Sequence, residues 1–159
     1  MSNPPVLDPA SGSRMFYFDK SDDRVLFGDI RAETHVLCDG RALEVAPEKV
    51  MDFRDLPFPD ATFNVVVLDP PHLTRVGERS WTFKKYGRLN LTTWREDLAA
   101  GFAECFRVLA PNGVLIFKWN EIQIPVSQVL ALTPNKPLIG HRSGKRSDTH
   151  WITFLKEAS

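Results

Sequence analysis

No apolar run in this chain approaches the roughly 20 residues that a membrane-spanning helix needs, so a helical membrane protein is excluded. The start, Met1 to Ala10, lacks the basic stretch followed by an apolar one that marks a secretory signal, so a cytoplasmic protein is expected. Cysteine is scarce. Cys38 and Cys105 make no disulfide framework and have no metal-ligand spacing, and both read as reduced thiols. Net charge is also missing: 20 basic residues balance 20 acidic ones. That argues against a protein that coats nucleic acid by electrostatics alone, while leaving room for a local basic patch. No internal repeat or low-complexity tract breaks the chain.

What remains is 159 residues, enough for one domain with a substantial core and too few for two. Apolar runs alternate with loops and helical stretches, which predicts an α/β fold with a mostly parallel sheet. Val65–Leu68 and Val114–Phe117 are continuously apolar, as strands covered on both faces are. Between them Trp94, Leu98, Phe102, Cys105, Phe106 and Leu109 recur at helical spacing, predicting a helix over 93–109. Thr92 or Thr93 can cap its start, and Pro111-Asn112-Gly113 ends it. Weaker strand signals lie at 6–7, 24–28, 36–38, 50–53, 138–139 and 151–155, the last alternating like a strand near a sheet edge. A strand–helix–strand crossover is right-handed and leaves its strands parallel. Ligands of such sheets sit at the carboxyl ends of the strands, so chemistry should follow each apolar run.

It does. Asp69-Pro70-Pro71-His72 follows the strand ending at Leu68. Two prolines stiffen the turn and remove two amide donors, leaving carbonyls and the Asp69 carboxylate as acceptors. That set suits a substrate NH₂ group, and His72 offers a flat ring for stacking. Asp8-Pro9-Ala10-Ser11-Gly12-Ser13 carries a short strand into a small-residue loop where backbone can approach a ligand. Asp29 lies 17 residues after Gly12, at the tip of the second strand, a spacing suited to ribose hydroxyls. Asp52-Phe53 ends another strand run, where a carboxylate and an amide could read the edge of an adenine ring.

Together these segments resemble the class I S-adenosylmethionine (SAM)-dependent methyltransferases, in particular the amino-methyltransferases with an Asp/Asn-Pro-Pro-aromatic motif. The loop 8–13 is similar to the Asp-Pro-X-Cys-Gly-Ser-Gly loop of adenine-specific DNA methyltransferases, Asp69–His72 to their catalytic tetrapeptide, and 107–115 to their helix-to-strand joint. The chain is also similar to short methyltransferase-like proteins of phages and bacteria. The resemblance implies a Rossmann-like sheet, mostly parallel with one antiparallel strand near the C-terminus and helices on both faces. It implies SAM as cofactor, bound by residues 8–13, Asp29, Asp52 and Phe53, and catalysis by Asp69, Pro70, Pro71 and His72. Arg14 stands where the family's loop has its final glycine, and His72 where it has a larger aromatic. No separate target-recognition domain is expected.

Residues 73–91 carry little secondary-structure signal but mix Arg75, Arg79, Lys84, Lys85 and Arg88 with Trp81, Phe83 and Tyr86. Basic residues interleaved with aromatics suit phosphate contact and base stacking, which predicts a nucleic-acid substrate loop. Arg142, Lys145 and Arg146 form a second basic cluster. His141, Asp148 and His150 lack the partners of a metal site, and no metal is expected. The expected activity is methyl transfer to an exocyclic amine, adenine in DNA or RNA first. A guanine amine in RNA, a glutamine amide in protein, or a silent SAM- or nucleic-acid-binding module remain alternatives. The compact size is compatible with a homodimer.

Overall fold

The computed structural model describes residues 2–158. Seven strands form one sheet: β1 (Val6–Asp8), β2 (Val25–Asp29), β5 (Lys49–Val50), β6 (Phe63–Leu68), β7 (Leu109–Asn120), β8 (Ile139–Arg142) and β9 (Thr149–Leu155). Their order is β5-β2-β1-β6-β7-β9-β8. Pairs from β5 through β7 are parallel, while β9 runs antiparallel to both β7 and β8. A mostly parallel Rossmann-like α/β sheet is therefore present. The remaining strands, β3 (Glu33–Val36) and β4 (Ala42–Val45), make a separate antiparallel hairpin.

The long helix α2 (Trp94–Val108) crosses from β6 to β7. Thr93 stands at its cap without capping through its side chain. Instead, the Asn90 side chain accepts from the Thr92 and Thr93 amides, and the Thr93 hydroxyl donates to Asp97. Glu96 and Asp97 in the first turn and Arg107 in the last match the helix dipole. Its apolar stripe lies on Leu115, Phe117 and Phe154, with Phe102 5.0 Å from Phe117 and Phe106 5.6 Å from Phe154 between ring centres.

Helices on both faces were the expectation, and here the structure differs. The pleat sends Leu7, Leu26, Val66, Leu115 and Phe117 to the α2 side. Phe27, Ile116 and Lys118 alternate to the other side. There no helix joins β1 to β2; residues 9–24 form turns whose Tyr17 ring packs edge-on against Phe27 at 4.8 Å. Pro9, Gly12 and the run of Ser and Asp in this segment favour turns over helix. The two other helices, α1 (Trp81–Tyr86) and α3 (Val126–Leu130), are short. No helix among the described residues is long and apolar enough to cross a membrane.

Several boundaries shift as well. The strand expected over 36–38 ends at Val36 and belongs to the hairpin; that over 50–53 shrinks to Lys49–Val50, with Asp52 bridging only Asp55. Residues 73–91, expected to be irregular, contain α1. Ser80 caps it by accepting from the Phe83 amide, and Gly87 closes it at φ 73°.

Candidate active site

Strand order reverses at β1: β2 and β5 lie to one side, β6 and β7 to the other. Loops leaving neighbouring strands at such a switch point part and open a crevice. A cleft of about 230 Å³ lies there, lined by Pro9–Ser13 after β1, Asp29–Arg31 at the end of β2, Phe53, Asp69–Pro71 after β6, and Lys118 from β7. Met15, Phe16 and the segment Phe83 with Lys85–Arg88 complete its wall.

The loop after β1 is held from below. Asp8 is fully buried, accepting from the Ala10 amide at 3.2 Å and the Tyr17 hydroxyl at 2.8 Å. It braces the loop and does not line the cleft. Burial pushes its carboxyl up to about 8, against the lowering effect of the Tyr17 hydrogen bond. Above it the Ser11 amide donates to the Gly28 carbonyl, and Gly12 turns at φ 53° with open space where a Cβ would stand. Ser11 is buried on the cleft wall, and its hydroxyl has no hydrogen-bond partner.

Arg14, the departure from the family's glycine, keeps a glycine-like backbone at φ 57°. Its guanidinium lies 4.0 Å over the Phe27 ring and donates to the Lys20 and Ala46 carbonyls. Asp29 is buried at the end of β2, one oxygen accepting from the Gly12 amide at 2.8 Å and the other from the Arg31 amide at 2.9 Å. Each oxygen has acceptor capacity left, and the Arg31 guanidinium stands 3.7 Å from the one bonded to the Arg31 amide. Asp52 does not reach the cleft; its carboxylate is taken up by Arg54, whose hydrogen bonds hold it below the usual carboxylate range. Its neighbour Phe53 does line the cleft.

On the opposite wall, Leu68 pairs with Phe117, which brings Asp69 beside Lys118. The ammonium lies 3.4 Å from the Asp69 carboxylate. Burial raises the Asp69 carboxyl to about 6, and Lys118 works against that rise. Pro70 and Pro71 line the cleft with it, but His72 does not. Its ring packs 5.3 Å from Tyr86 and 6.3 Å from Trp119, and burial with the nearby Lys118 cation holds it down at about 4.

Of the basic and aromatic loop, Phe83, Lys85, Tyr86 and Arg88 reach the cleft. Lys85 sits 4.4 Å over Trp81 and 4.9 Å over Tyr86, so its charge rests on aromatic faces. Arg75, Arg79 and Trp81 are exposed outside the cleft, and the Lys84 carbonyl accepts from Arg31. The backbone of Thr74 and Arg75 is clamped by the Gln123 side chain. In the second basic cluster Arg142 pairs with Glu121, which His150 also approaches at 2.8 Å, while Lys145 and Arg146 are exposed. Sequence reading missed Met15, Phe16, Ile30, Arg31, Gly87 and Lys118 as cleft residues. A charged residue inside the apolar run Leu115–Trp119 was the one clear signal among them.

No protein-family model and no curated protein sequence matches the chain. Solved structures do. A SAM-dependent methyltransferase from Methanosarcina mazei aligns with TM-score 0.55 and 10% identity, over 97% of this chain and 92% of that one. A TehB-like SAM-dependent methyltransferase from Corynebacterium glutamicum aligns with TM-score 0.56 and 13% identity, over 99% and 82%. Geranyl diphosphate methyltransferase in complex with GPP and sinefungin aligns with TM-score 0.51 and 11% identity, over 98% and 72%. The chain thus has the fold of these SAM-dependent methyltransferases.

Proposed function

We propose that this chain is a SAM-dependent N-methyltransferase whose acceptor is an exocyclic amino group, adenine in DNA or RNA first. The observation that carries the reading is the half-buried Asp69 carboxylate, followed by two prolines, across one cleft from the Ser11–Ser13 loop and Asp29. The fold shared with SAM-dependent methyltransferases supports the class, and one of those structures holds sinefungin.

The residues present fit SAM. Ser11 offers a buried, unpartnered hydroxyl, Gly12 leaves room for close approach, and Asp29 has lone pairs free for ribose hydroxyls. Phe53 and Ile30 supply apolar surface for an adenine ring. When bound, SAM supplies a methyl group on a sulfonium that leaves readily. The protein's part is alignment and electrostatics.

Asp69 and the Pro70 carbonyl accept the two hydrogens of the substrate amine and turn its lone pair toward the methyl carbon. Bound SAM would supply the methyl group and keep the sulfur's electron pair on leaving, and Asp69 would take the proton that the amine gives up. Positioning of this kind is the largest contribution expected, with the carboxylate stabilising the cationic nitrogen as it develops. Lys85 and Arg88 at the cleft wall suit a phosphate next to the target base. A base within a duplex has to be unstacked first.

Transfer of tritiated methyl groups from SAM to unmethylated DNA, total RNA and a protein extract, followed by nucleoside analysis, tests the reading. Methyladenine that disappears with Asp69→Ala, while SAM still binds, is the expected result. Label in glutamine amides, or no transfer at all, would overturn it.

A further inference from the structure

We propose that Lys118 is the positioning residue for Asp69, fixing its carboxylate as a charged acceptor turned into the cleft. The inference rests on the reading of Asp69 as the acceptor for the substrate amine and adds a residue to it.

Lys118 interrupts the apolar run from Val114 to Trp119 in β7. Leu115, Phe117 and Trp119 are buried against the α2 side, and Lys118 alternates to the opposite one. A lysine there carries an entropic and desolvation cost that an apolar residue would avoid. Its side chain is only 20% exposed and that of Asp69 24%, so neither charge is free in solvent. Two aromatic faces restrain the ammonium: Phe16 at 5.2 Å and Trp151 at 5.5 Å. The lysine is thereby held from β1's loop and from β9 while it reaches Asp69 at 3.4 Å.

The surroundings call for such a counter-ion. Burial alone drives the Asp69 carboxyl toward its protonated form, and the Asp29 carboxylate lines the same cleft. Asp8 at the end of β1 and the Tyr17 hydroxyl bonded to it are both pushed up by burial and offer Asp69 no cation. His72, three residues further along the chain, is held down at about 4 by burial and the Lys118 cation, so it supplies no positive charge near neutral pH. Arg31, Lys85 and Arg88 line the cleft, but Arg31 is engaged by Asp29 and the Lys84 carbonyl, Arg88 by Glu78 and the Val76 carbonyl, and Lys85 by aromatic rings. The ion pair of Asp69 is with Lys118. A protonated Asp69 would present a donor to the substrate amine and lose one acceptor, so the pair keeps the acceptor set complete.

The test is a carboxyl-carbon NMR titration of the full chain without cofactor, with the Lys118 Nζ resonance followed in parallel. In the wild type the Nζ resonance should inflect at the pH where Asp69 titrates. Lys118→Met should move the Asp69 midpoint upward by about one to three pH units, the range for loss of a close opposite charge. Lys118→Arg should restore most of that displacement, and the acid limb of the transfer rate should move in step. An Asp69 midpoint unmoved in folded Lys118→Met, or no Nζ inflection in the wild type, overturns the proposal. The second observation needs no variant and decides the matter even if Lys118→Met fails to fold. Wild-type protein that transfers no methyl group to any amine sinks the amine-transfer reading, whereas transfer with an acid limb indifferent to Lys118→Met sinks this inference alone.

Discussion

The Tyr17 hydroxyl donates a 2.8 Å hydrogen bond to the Asp8 carboxylate, tying the aromatic turn that covers one sheet face to the strand beneath the candidate cofactor loop. Asp8 is wholly buried there, and no arginine or lysine pairs with it among the described residues.

That burial has a pH consequence. Folding raises the Asp8 carboxyl from 3.8 to about 8, so the native chain holds this proton more tightly than the unfolded one. The contribution to stability is complete below the unfolded value and is lost as pH rises through about 8. Its slope is at most about 1.4 kcal/mol per pH unit. Urea unfolding at a series of pH values should show that decline, and Asp8→Asn should flatten it. An unchanged slope in Asp8→Asn would show that the group titrating is elsewhere.

Asp69 sets the expected acid limb of activity. With its carboxyl raised to about 6 by burial, transfer should grow as pH rises through that value, because the ionised form is the one that accepts from the amine. Asp69→Asn keeps one acceptor oxygen and loses the charge. Its kcat should fall on the order of 10²-fold, a typical loss when one transition-state partner is removed, and the limb should vanish. A limb that persists in Asp69→Asn belongs to another group.

How much of this was legible in the sequence follows from how each segment is buried. β6, β7 and α2 were readable because their apolar residues meet the core continuously or at helical spacing. β4 was not: Ala42–Val45 alternates exposed and buried residues in a hairpin outside the main sheet, and four residues give alternation little weight. α1 was missed because none of its residues is buried, although Ser80 and Gly87 bracket it with ordinary cap signals. The cleft loops at Asp8–Ser13, Asp29 and Asp69–Pro71 were found from their places after strands. Which carboxylates face the cleft was not, because that depends on partners: Arg54 engages Asp52, and Tyr17 holds Asp8 below the floor.

Arg14 separates backbone strain from side-chain contact. Arg14→Ala removes the stack on Phe27 and the bonds to Lys20 and Ala46 while keeping a Cβ at φ 57°. Arg14→Gly removes the same contacts but relieves the left-handed backbone. Both should be less stable than the wild type, with the glycine variant about 1 kcal/mol better than the alanine one. Denaturant midpoints compare them directly. Equal stabilities would mean that the loop backbone shifts when the guanidinium is lost.

Gly101 on α2 governs a cleft residue from behind. A Cβ there would stand 2.5 Å and 2.6 Å from two carbons of the Phe53 ring, so the ring must move if a methyl group is added. Phe53 lines the cleft, and moving it changes the surface offered to an adenine ring. Gly101→Ala should therefore cost about 1–3 kcal/mol of stability, as overpacking does, despite the better helix propensity of alanine. It should also weaken binding of SAM or sinefungin by calorimetry. Phe53→Leu combined with Gly101→Ala should recover part of the stability, since the two side chains compete for one space. Gly77→Ala, where a Cβ meets nothing within 4 Å, serves as the control and should leave binding unchanged. If Gly101→Ala binds SAM as the wild type does while unfolding earlier, Phe53 is packing for the helix and not a wall of the cofactor site.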